Sequence, residues 1–381
     1  MITQLFWMLL VFSLYSYGLY PLVLFFVQKI FFNKPFQFDE FVNLPLSYSL
    51  IVTVYNEEKR IVQKLNNLLS LEFDASRLEL LIASDSSTDA TDRLVTDFAE
   101  KGIRLVRAVE RLGKENAQLT AIQAAKGDIL VFSDVATLMA TDAIHKLDRY
   151  FQCACVGAVS SEDRFINKDG SMSGEGLYVR YEMWLRQLEG RSAGLVGLSG
   201  SFFAARKDVC RHWDIESPSD FNTAFNCTRA GLLSISASDV LGFYNDLKDP
   251  SQEYARKVRT VVRGMTGLSR HRDVLNVKKF GLYSLQVISH KVMRWSVPWF
   301  LIALLGVSVG AASEGRFYQL ALFGQILFYG LALVAHLNDR VRTLGPIRLI
   351  YFFVQVNIAS LDAALKFFSG KRMTTWKPSA R

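Results

Sequence analysis

Cysteine is scarce in this chain: 381 residues hold four, Cys153, Cys155, Cys210 and Cys227. Their spacing fits no zinc site, and a reducing compartment would leave them as thiols. An arginine-rich arm is also missing, as are internal repeats and low-complexity tracts. Nucleic acid is therefore not an expected partner, although the net charge is +8. Charged side chains are absent from residues 1–28, which are rich in Leu, Phe, Val and Tyr and end at Lys29. With no basic n-region, no shorter apolar core and no small-residue cleavage site, this segment reads as an anchor and not as a cleaved signal peptide.

Charge is equally absent from Trp295–Ser313 and Phe317–Asn338. Since about 20 apolar residues span a bilayer core as a helix, each is long enough to cross. A fourth apolar segment, Leu349–Phe368, is interrupted by Gln355, Asn357, Ser360, Asp362 and Lys366. It reads either as a crossing or as a re-entrant or interfacial helix. Basic residues mark the side facing the cytoplasm. Lys29, Lys34, Lys278, Lys279, Lys291, Arg294, Arg340, Arg342 and Arg348 share one side if the domain between the spans is cytoplasmic. A crossing fourth segment would put Lys371, Arg372, Lys377 and Arg381 outside. The expected organisation is an anchor at 1–28, a cytoplasmic α/β domain at 45–250, amphipathic interfacial helices at 251–294, a membrane region at 295–370 and a basic tail at 371–381. This predicts a multi-pass protein of the plasma (inner) membrane, with membrane lipids as partners. The mean hydropathy of +0.16 agrees, and the positive charge suits an anionic lipid surface.

The interior domain carries the chemistry. Ser49–Val54 runs into Tyr55-Asn56-Glu57-Glu58, and Leu78–Ala83 into Ser84-Asp85-Ser86-Ser87-Thr88-Asp89. Ile103–Val109 runs into Arg111-Leu112-Gly113-Lys114, and Asp128–Phe132 into Ser133-Asp134-Val135-Ala136-Thr137. Helix-length stretches at 58–70, 88–101 and 114–126 separate these strand-like runs. Open parallel sheets bind ligands beyond the carboxyl ends of their strands, where all four loops fall. The fold class is therefore α/β, a doubly wound nucleotide-binding sheet. Tyr55 can stack on a base, Glu57 and Asp85 can accept from its edge or from a ribose, and Lys114 can neutralise phosphate. Asp134 offers the oxygen ligand that Mg²⁺ or Mn²⁺ needs when substrate phosphates hold most of the ion. Singly, Glu57, Glu58, Asp85 and Asp89 also read as helix caps or first-turn acids.

Val52-Thr53-Val54-Tyr55-Asn56-Glu57-Glu58, Ser84-Asp85 with Ser87-Thr88-Asp89, Gly113-Lys114 and Phe132-Ser133-Asp134 together resemble family 2 glycosyltransferases of GT-A fold. The likeness is to the membrane-embedded bacterial members that build polysaccharides and glycolipids, and it covers residues 45 to 295. It implies a nucleotide-sugar donor, an activating divalent cation (Mg or Mn) and inversion at the anomeric carbon. It also implies a lipid-linked or glycan acceptor, with proteins of polysaccharide assembly as further candidate partners. The uridine-contacting positions carry over to Thr53, Tyr55, Glu57 and Asp85. The metal motif Asp-x-Asp matches only at Asp134, because Ala136 cannot ligate. A subunit that binds nucleotide and supports or gates polysaccharide export without turnover is the alternative reading, and Ala136 is its support.

Leu195–Phe203 resembles the loop near the donor sugar, with Gly200 at its centre, and reads equally as a turn into a strand. Ser219-Asp220-Phe221 matches the acidic motif that supplies the general base, which places Asp220 as the catalytic residue; N-capping competes. Processive relatives carry Gln-x-x-Arg-Trp where this chain has Arg256-Lys257-Val258-Arg259-Thr260. Arg256, Arg259 and Arg263 share one helical face, suited to a leaving diphosphate or to lipid head groups. Thr260 cannot stack on a sugar as tryptophan does, which argues for one or a few transfers over a long chain. His290 is a candidate metal ligand or a structural histidine at the membrane start.

Overall fold

The computed structural model describes residues 1–31, 45–166, 177–245 and 250–373. The expectations that concern Lys34 and the tail beyond Met373 fall outside them. The chain divides into two units: Met1–Val23 with Asp249–Met265 and Leu285–Arg372, and Leu24–Lys248 with Thr266–Ser284 and Met373–Arg381.

The second unit is built on one eight-stranded sheet. Its strands are β1 (Tyr48–Val54), β2 (Leu78–Ser84), β3 (Ile103–Arg107), β4 (Ile129–Asp134), β5 (Leu138–Met139), β6 (Val156–Ile166), β7 (Phe202–Arg206) and β8 (Leu233–Asn245), in spatial order β3-β2-β1-β4-β7-β6-β8-β5. The half β3-β2-β1-β4 is parallel throughout. Beyond it β7 runs antiparallel to both β4 and β6, while β6 and β8 pair in parallel. The sheet is therefore mixed, and the parallel reading of the first third holds for the first four strands.

Every residue of β1 is buried, as expected where helices cover both faces of a sheet and the strand reads as a continuous apolar run. The helices between the strands are shorter than expected: Ile61–Leu69, Thr91–Thr96 and Lys114–Ala124. β3 stops at Arg107, and Val109 is solvent-exposed. One core packs Val52, Ile82, Val131 and Leu65 on one face, and another packs Ile51, Leu81, Phe132 and Phe203 on the other. Phe132 and Phe203 face each other in register, their rings 4.8 Å apart, and Trp213 stacks on Phe132 at 5.1 Å. These rings pack two residues before Asp134 and fix the end of β4.

Cys153 and Cys155 are joined as a disulfide, contrary to the expectation of four thiols. Their Cα atoms lie 5.3 Å apart, within the span a disulfide bridges. Cys210 and Cys227 are free and buried.

The first unit is helical. Among the described residues, four helices are long and apolar enough to cross a membrane: Ile2–Ile30, Leu282–Glu314, Arg316–Leu337 and Gly345–Phe368. One boundary differs from the sequence reading. The second begins at Leu282, so His290–Arg294 continue the same helical rod instead of forming a separate interfacial element. The fourth is one continuous helix, because its polar residues close locally. Asn357 and Ser360 bond carbonyls one turn back, and Lys366 pairs with Asp362 at 2.7 Å. The helix Pro250–Arg270 carries Arg256, Arg259 and Arg263.

Candidate active site

The carboxyl ends of β1, β2 and β4 bring Thr53, Asp85 and Asp134 to one edge. In the register, Thr53 lies opposite Asp134 on one side and Ala83 on the other. Thr53 is buried, and its hydroxyl has no hydrogen-bond partner. Asp85 is 1% exposed. Its Oδ1 accepts from the Gly113 amide at 3.1 Å, while its Oδ2 is buried without a partner. Gly113 holds φ at +110°, a value that favours glycine, and so turns its N–H toward Asp85 just before the Lys114 helix. Burial raises the Asp85 pKa, against the Gly113 and Leu112 amides and Arg111, which lower it. Buried polar atoms without partners are uncommon in folded proteins. Here two of them lie at the carboxyl ends of adjacent strands, beside the loops that the sequence assigned to a nucleotide.

Glu57 is also buried, and burial raises its carboxyl pKa. Arg60, at 3.6 Å, opposes that rise, and Asp134 and Asp89 add to it. Its backbone amide donates to the Thr91 hydroxyl at 2.8 Å, tying the first loop to the second. Asn56 reinforces this link, because its side chain donates to Thr88 Oγ1 and accepts from the Thr88 amide. The Arg111 guanidinium lies 3.7 Å over the Tyr55 ring. One face of the expected stacking platform is therefore already occupied by a cation–π contact.

At the middle of the sheet the Lys114 ammonium donates to Asp134 Oδ1 at 2.5 Å and to the Gly200 carbonyl at 2.8 Å. The Asp134 amide donates to the Ser201 carbonyl at 2.8 Å. The loop before β7 is thus pinned to the end of β4. On its other flank, Asp163 of β6 accepts from Ser199 at 2.7 Å and from Ser201 at 2.6 Å. Burial raises the Asp163 pKa against those hydroxyls and Arg186. Gly200, between the two serines, faces Asp220: a Cβ built on it would lie 3.8 Å from Asp220 Oδ2.

Asp220 is the second residue of the helix Ser219–Arg229, whose N-cap position is Pro218. It is therefore not the N-cap, although an acid in the first turn gains from the helix dipole. Gly267 lets the helix Pro250–Arg270 approach the Ser217-Pro218 turn, where a Cβ would meet Ser217 Oγ at 2.9 Å. The structure therefore brings together Thr53, Asp85, Lys114, Asp134, Gly200 and Asp220, with Tyr55 and Glu57 on the adjoining loop. Arg256 and Arg259 belong to the other unit. His290 is buried in that unit beside Arg294, its Nε2 3.3 Å from Arg294 Nη1.

Sequence reading missed Lys64. It is fully buried and donates to Ser133 Oγ at 2.8 Å and to the Thr137 carbonyl, beneath the Asp134–Thr137 loop. Burial lowers its pKa to about 7, against the pull of Asp134. The signal was present, because Ile61, Lys64, Leu65 and Leu68 recur at the helical period on one buried face.

The residues fit a divalent cation of one kind only. Among the described residues no group of three or more His, Cys, Asp or Glu side chains gathers around a metal position. Asp134 is half-exposed with Oδ1 on Lys114, which suits a cation held by one carboxylate, substrate phosphates and water.

Comparison with known proteins agrees with this geometry. Residues 49–212 match the profile of "Glycosyl transferase family 2". That segment is a family 2 glycosyltransferase domain. It contains β1 from Ser49 on, β2, β4, β7 and the site residues Thr53, Tyr55, Glu57, Asp85, Lys114, Asp134 and Gly200, while Asp220, Arg256, Arg259 and His290 lie beyond it. A beta-monoglucosyldiacylglycerol synthase from Nostoc sp. is 24% identical over 218 residues, covering 55% of this chain and 47% of that protein. The TarS poly(ribitol-phosphate) beta-N-acetylglucosaminyltransferase of Staphylococcus aureus is 31% identical over 91 residues, covering 23% of this chain and 16% of that protein. The chain thus spans about half or less of the length of these curated relatives. The solved mannosyltransferase PcManGT from Pyrobaculum calidifontis, in complex with GDP-Man and Mn2+, superposes with a TM-score of 0.75 at 21% identity. The match covers 97% of this chain and 99% of that one. The fold is GT-A with flanking apolar helices.

Proposed function

We propose that this glycosyltransferase moves a sugar, with inversion, from a nucleotide sugar to a hydroxyl of a lipid-linked glycan or polysaccharide acceptor at the cytoplasmic membrane face. The observation that carries it is the continuous path Asp134–Lys114–Gly200–Asp220, which joins a phosphate-binding end to a carboxylate that can take a proton. In this reading the base and ribose of the donor lie against Thr53, Asp85 and the open face of Tyr55, with UDP favoured. Glu57 adds an acceptor, and Lys114 turns from Asp134 toward the diphosphate. A bound Mg²⁺ or Mn²⁺ at Asp134 would neutralise charge on the diphosphate oxygens.

The acceptor oxygen attacks the anomeric carbon while Asp220 removes its proton. The bond between that carbon and the diphosphate oxygen breaks, and the nucleoside diphosphate leaves. One base serves both roles of an inverting displacement, deprotonation and orientation. With Thr260 in place of a stacking aromatic, one or a few sugars are added to each acceptor. Four apolar helices support a membrane setting for the acceptor, and the Nostoc relative is a beta-monoglucosyldiacylglycerol synthase.

The test is a screen of nucleotide sugars against purified full-length protein, reading nucleotide release with and without a lipid-linked acceptor, followed by product mass. Release from one donor class and short products are expected. A protein that binds nucleotide and releases none under any condition would replace this reading with a non-catalytic subunit. A ladder of long chains would overturn the limit on transfers.

A further inference from the structure

Most polar side chains in the apolar helices bond within their own helix. Ser13 donates to Leu9, Ser308 to Leu304, Asn357 to Phe353 and Ser360 to Val356, each one turn back. Between helices, Gln325 donates to Ser308 at 2.7 Å, and a larger polar cluster joins the first two apolar helices. The helices Ile2–Ile30 and Leu282–Glu314 each widen into a π-helical turn, at Tyr15–Leu19 and at Ile288–Val292. The two turns are tied together, because Tyr15 Oη and Ser289 Oγ lie 2.9 Å apart. The Arg294 guanidinium sits 5.0 Å over the Tyr17 ring, and its Nη1 is 3.3 Å from His290 Nε2. Ser16 is fully buried, and its hydroxyl has no hydrogen-bond partner.

Three physical points give this cluster a ligand class. A π-helical turn weakens the regular ladder and marks functional positions more often than ordinary ones, and here two meet. Arginine within an apolar span is expensive and is retained where it recognises something. Acidic residues are absent from both helices around the cluster: none occurs in residues 1–38 or 274–313. The acid of the neighbouring helix Gly345–Phe368, Asp362, is held by Lys366. The local excess is cationic and hydroxylic, with Arg294, Lys291, His290, Tyr15, Ser16 and Ser289. A planar guanidinium matches a phosphate, and the hydroxyls of Tyr15, Ser16 and Ser289 belong to the same pair of turns. Arg294 immediately precedes the apolar run Trp295–Ser313, so the phosphate would sit where lipid head groups meet hydrocarbon.

We propose that the paired π-helical turns, with Arg294, Tyr15, Ser16, Ser289 and His290, form a binding site for the phosphate of a lipid. The site rests on the membrane setting of these helices, but its test does not require sugar transfer. Full-length protein in neutral detergent is incubated with dioleoylphosphatidylglycerol, phytanyl phosphate, dioleoylphosphatidylcholine or inorganic phosphate. Retained lipid is read by native mass spectrometry and thermal shift.

The parent should retain phosphatidylglycerol or phytanyl phosphate over phosphatidylcholine. Stronger retention of phytanyl phosphate assigns the site to an acceptor-type lipid, and stronger retention of phosphatidylglycerol assigns it to bulk anionic lipid. Arg294→Gln should weaken retention about tenfold, the loss of one charge-assisted pair. Arg294→Lys keeps the charge without the fork and should lose about threefold; it decides the matter if Arg294→Gln does not fold. Equal retention by parent and folded variant, no preference over phosphatidylcholine, or an equal shift from inorganic phosphate alone would each overturn the proposal.

Discussion

The two halves of the sheet build their share of the site by different means. In β3-β2-β1-β4 every strand points the same way, so polar residues that follow apolar runs arrive together at one edge. Thr53, Asp85 and Asp134 need nothing but strand direction to meet. In the other half β7 opposes β4 and β6, so strand ends alternate and direction gathers nothing. There the work falls to long-range hydrogen bonds. Asp163 grips Ser199 and Ser201 from 36 and 38 residues away, and Lys114 reaches Gly200 across 86. The parallel half presents buried, unpartnered acceptors suited to a rigid nucleotide. The antiparallel half presents a loop and a helix start, suited to placing an acceptor and a base.

If that division is right, variants on the two sides fail differently. The largest effect belongs to Asp220→Asn, which keeps the shape and loses the proton acceptor: turnover should fall by ~10²–10⁴. Product formation under saturating donor and acceptor measures it, and near-parent turnover would return Asp220 to a purely structural place in its helix. Next comes the phosphate end. Asp134→Ala, or excess EDTA on the parent, should cut activity by roughly a hundredfold or more, because charge on the diphosphate then lacks its counter-ion. Full activity in both would remove the metal and leave Lys114 as the neutralising group.

A smaller effect tests the loop that joins the halves. Asp163→Asn leaves one serine hydroxyl without its charged acceptor and should lower turnover about tenfold, with donor affinity unchanged. Ser199→Ala combined with it should show coupling in a double-mutant cycle, since the two share one hydrogen bond. Additive losses would mean that Asp163 acts elsewhere.

The smallest effect is on stability. Lys64 has an unfolded-state pKa near the ordinary lysine value of 10.5 and a folded value lowered to about 7. Between those values the unfolded chain binds the extra proton, so stability should rise with pH across that window. Lys64→Met should flatten this part of the curve of thermal midpoint against pH, measured in the same detergent. An unchanged slope would mean that the ammonium stays charged beneath the Asp134 loop.

The same comparison accounts for what the sequence disclosed. Four apolar runs ending in polar loops were legible because parallel strands convert order along the chain into a shared edge. Charge-free stretches were legible because hydrocarbon leaves no alternative. Asp163, Ser199 and Ser201 were not, because an antiparallel connection sets their meeting through a register no local pattern encodes. Arg111 over Tyr55 was missed for a related reason: a loop cation finds its ring only when β1 and β3 flank β2. Lys64 was visible as a lysine on a buried helical face, a feature that spacing marks as unusual without saying what it serves. The Cys153–Cys155 bridge followed from local backbone geometry, whereas the expectation of thiols followed from compartment.

The most direct test sets one residue from each half side by side. Donor affinity by calorimetry and single-turnover rate at saturating donor are measured for Asp85→Asn and Asp220→Asn. Asp85→Asn puts an amide where a buried carboxylate oxygen awaits a donor, so affinity should drop about tenfold or more with the rate largely kept. Asp220→Asn should do the reverse, losing rate while binding stays within several-fold of the parent. If both variants lose affinity alike, or if Asp85→Asn binds donor normally and loses the chemical step, the two halves do not divide the reaction between nucleotide recognition and transfer.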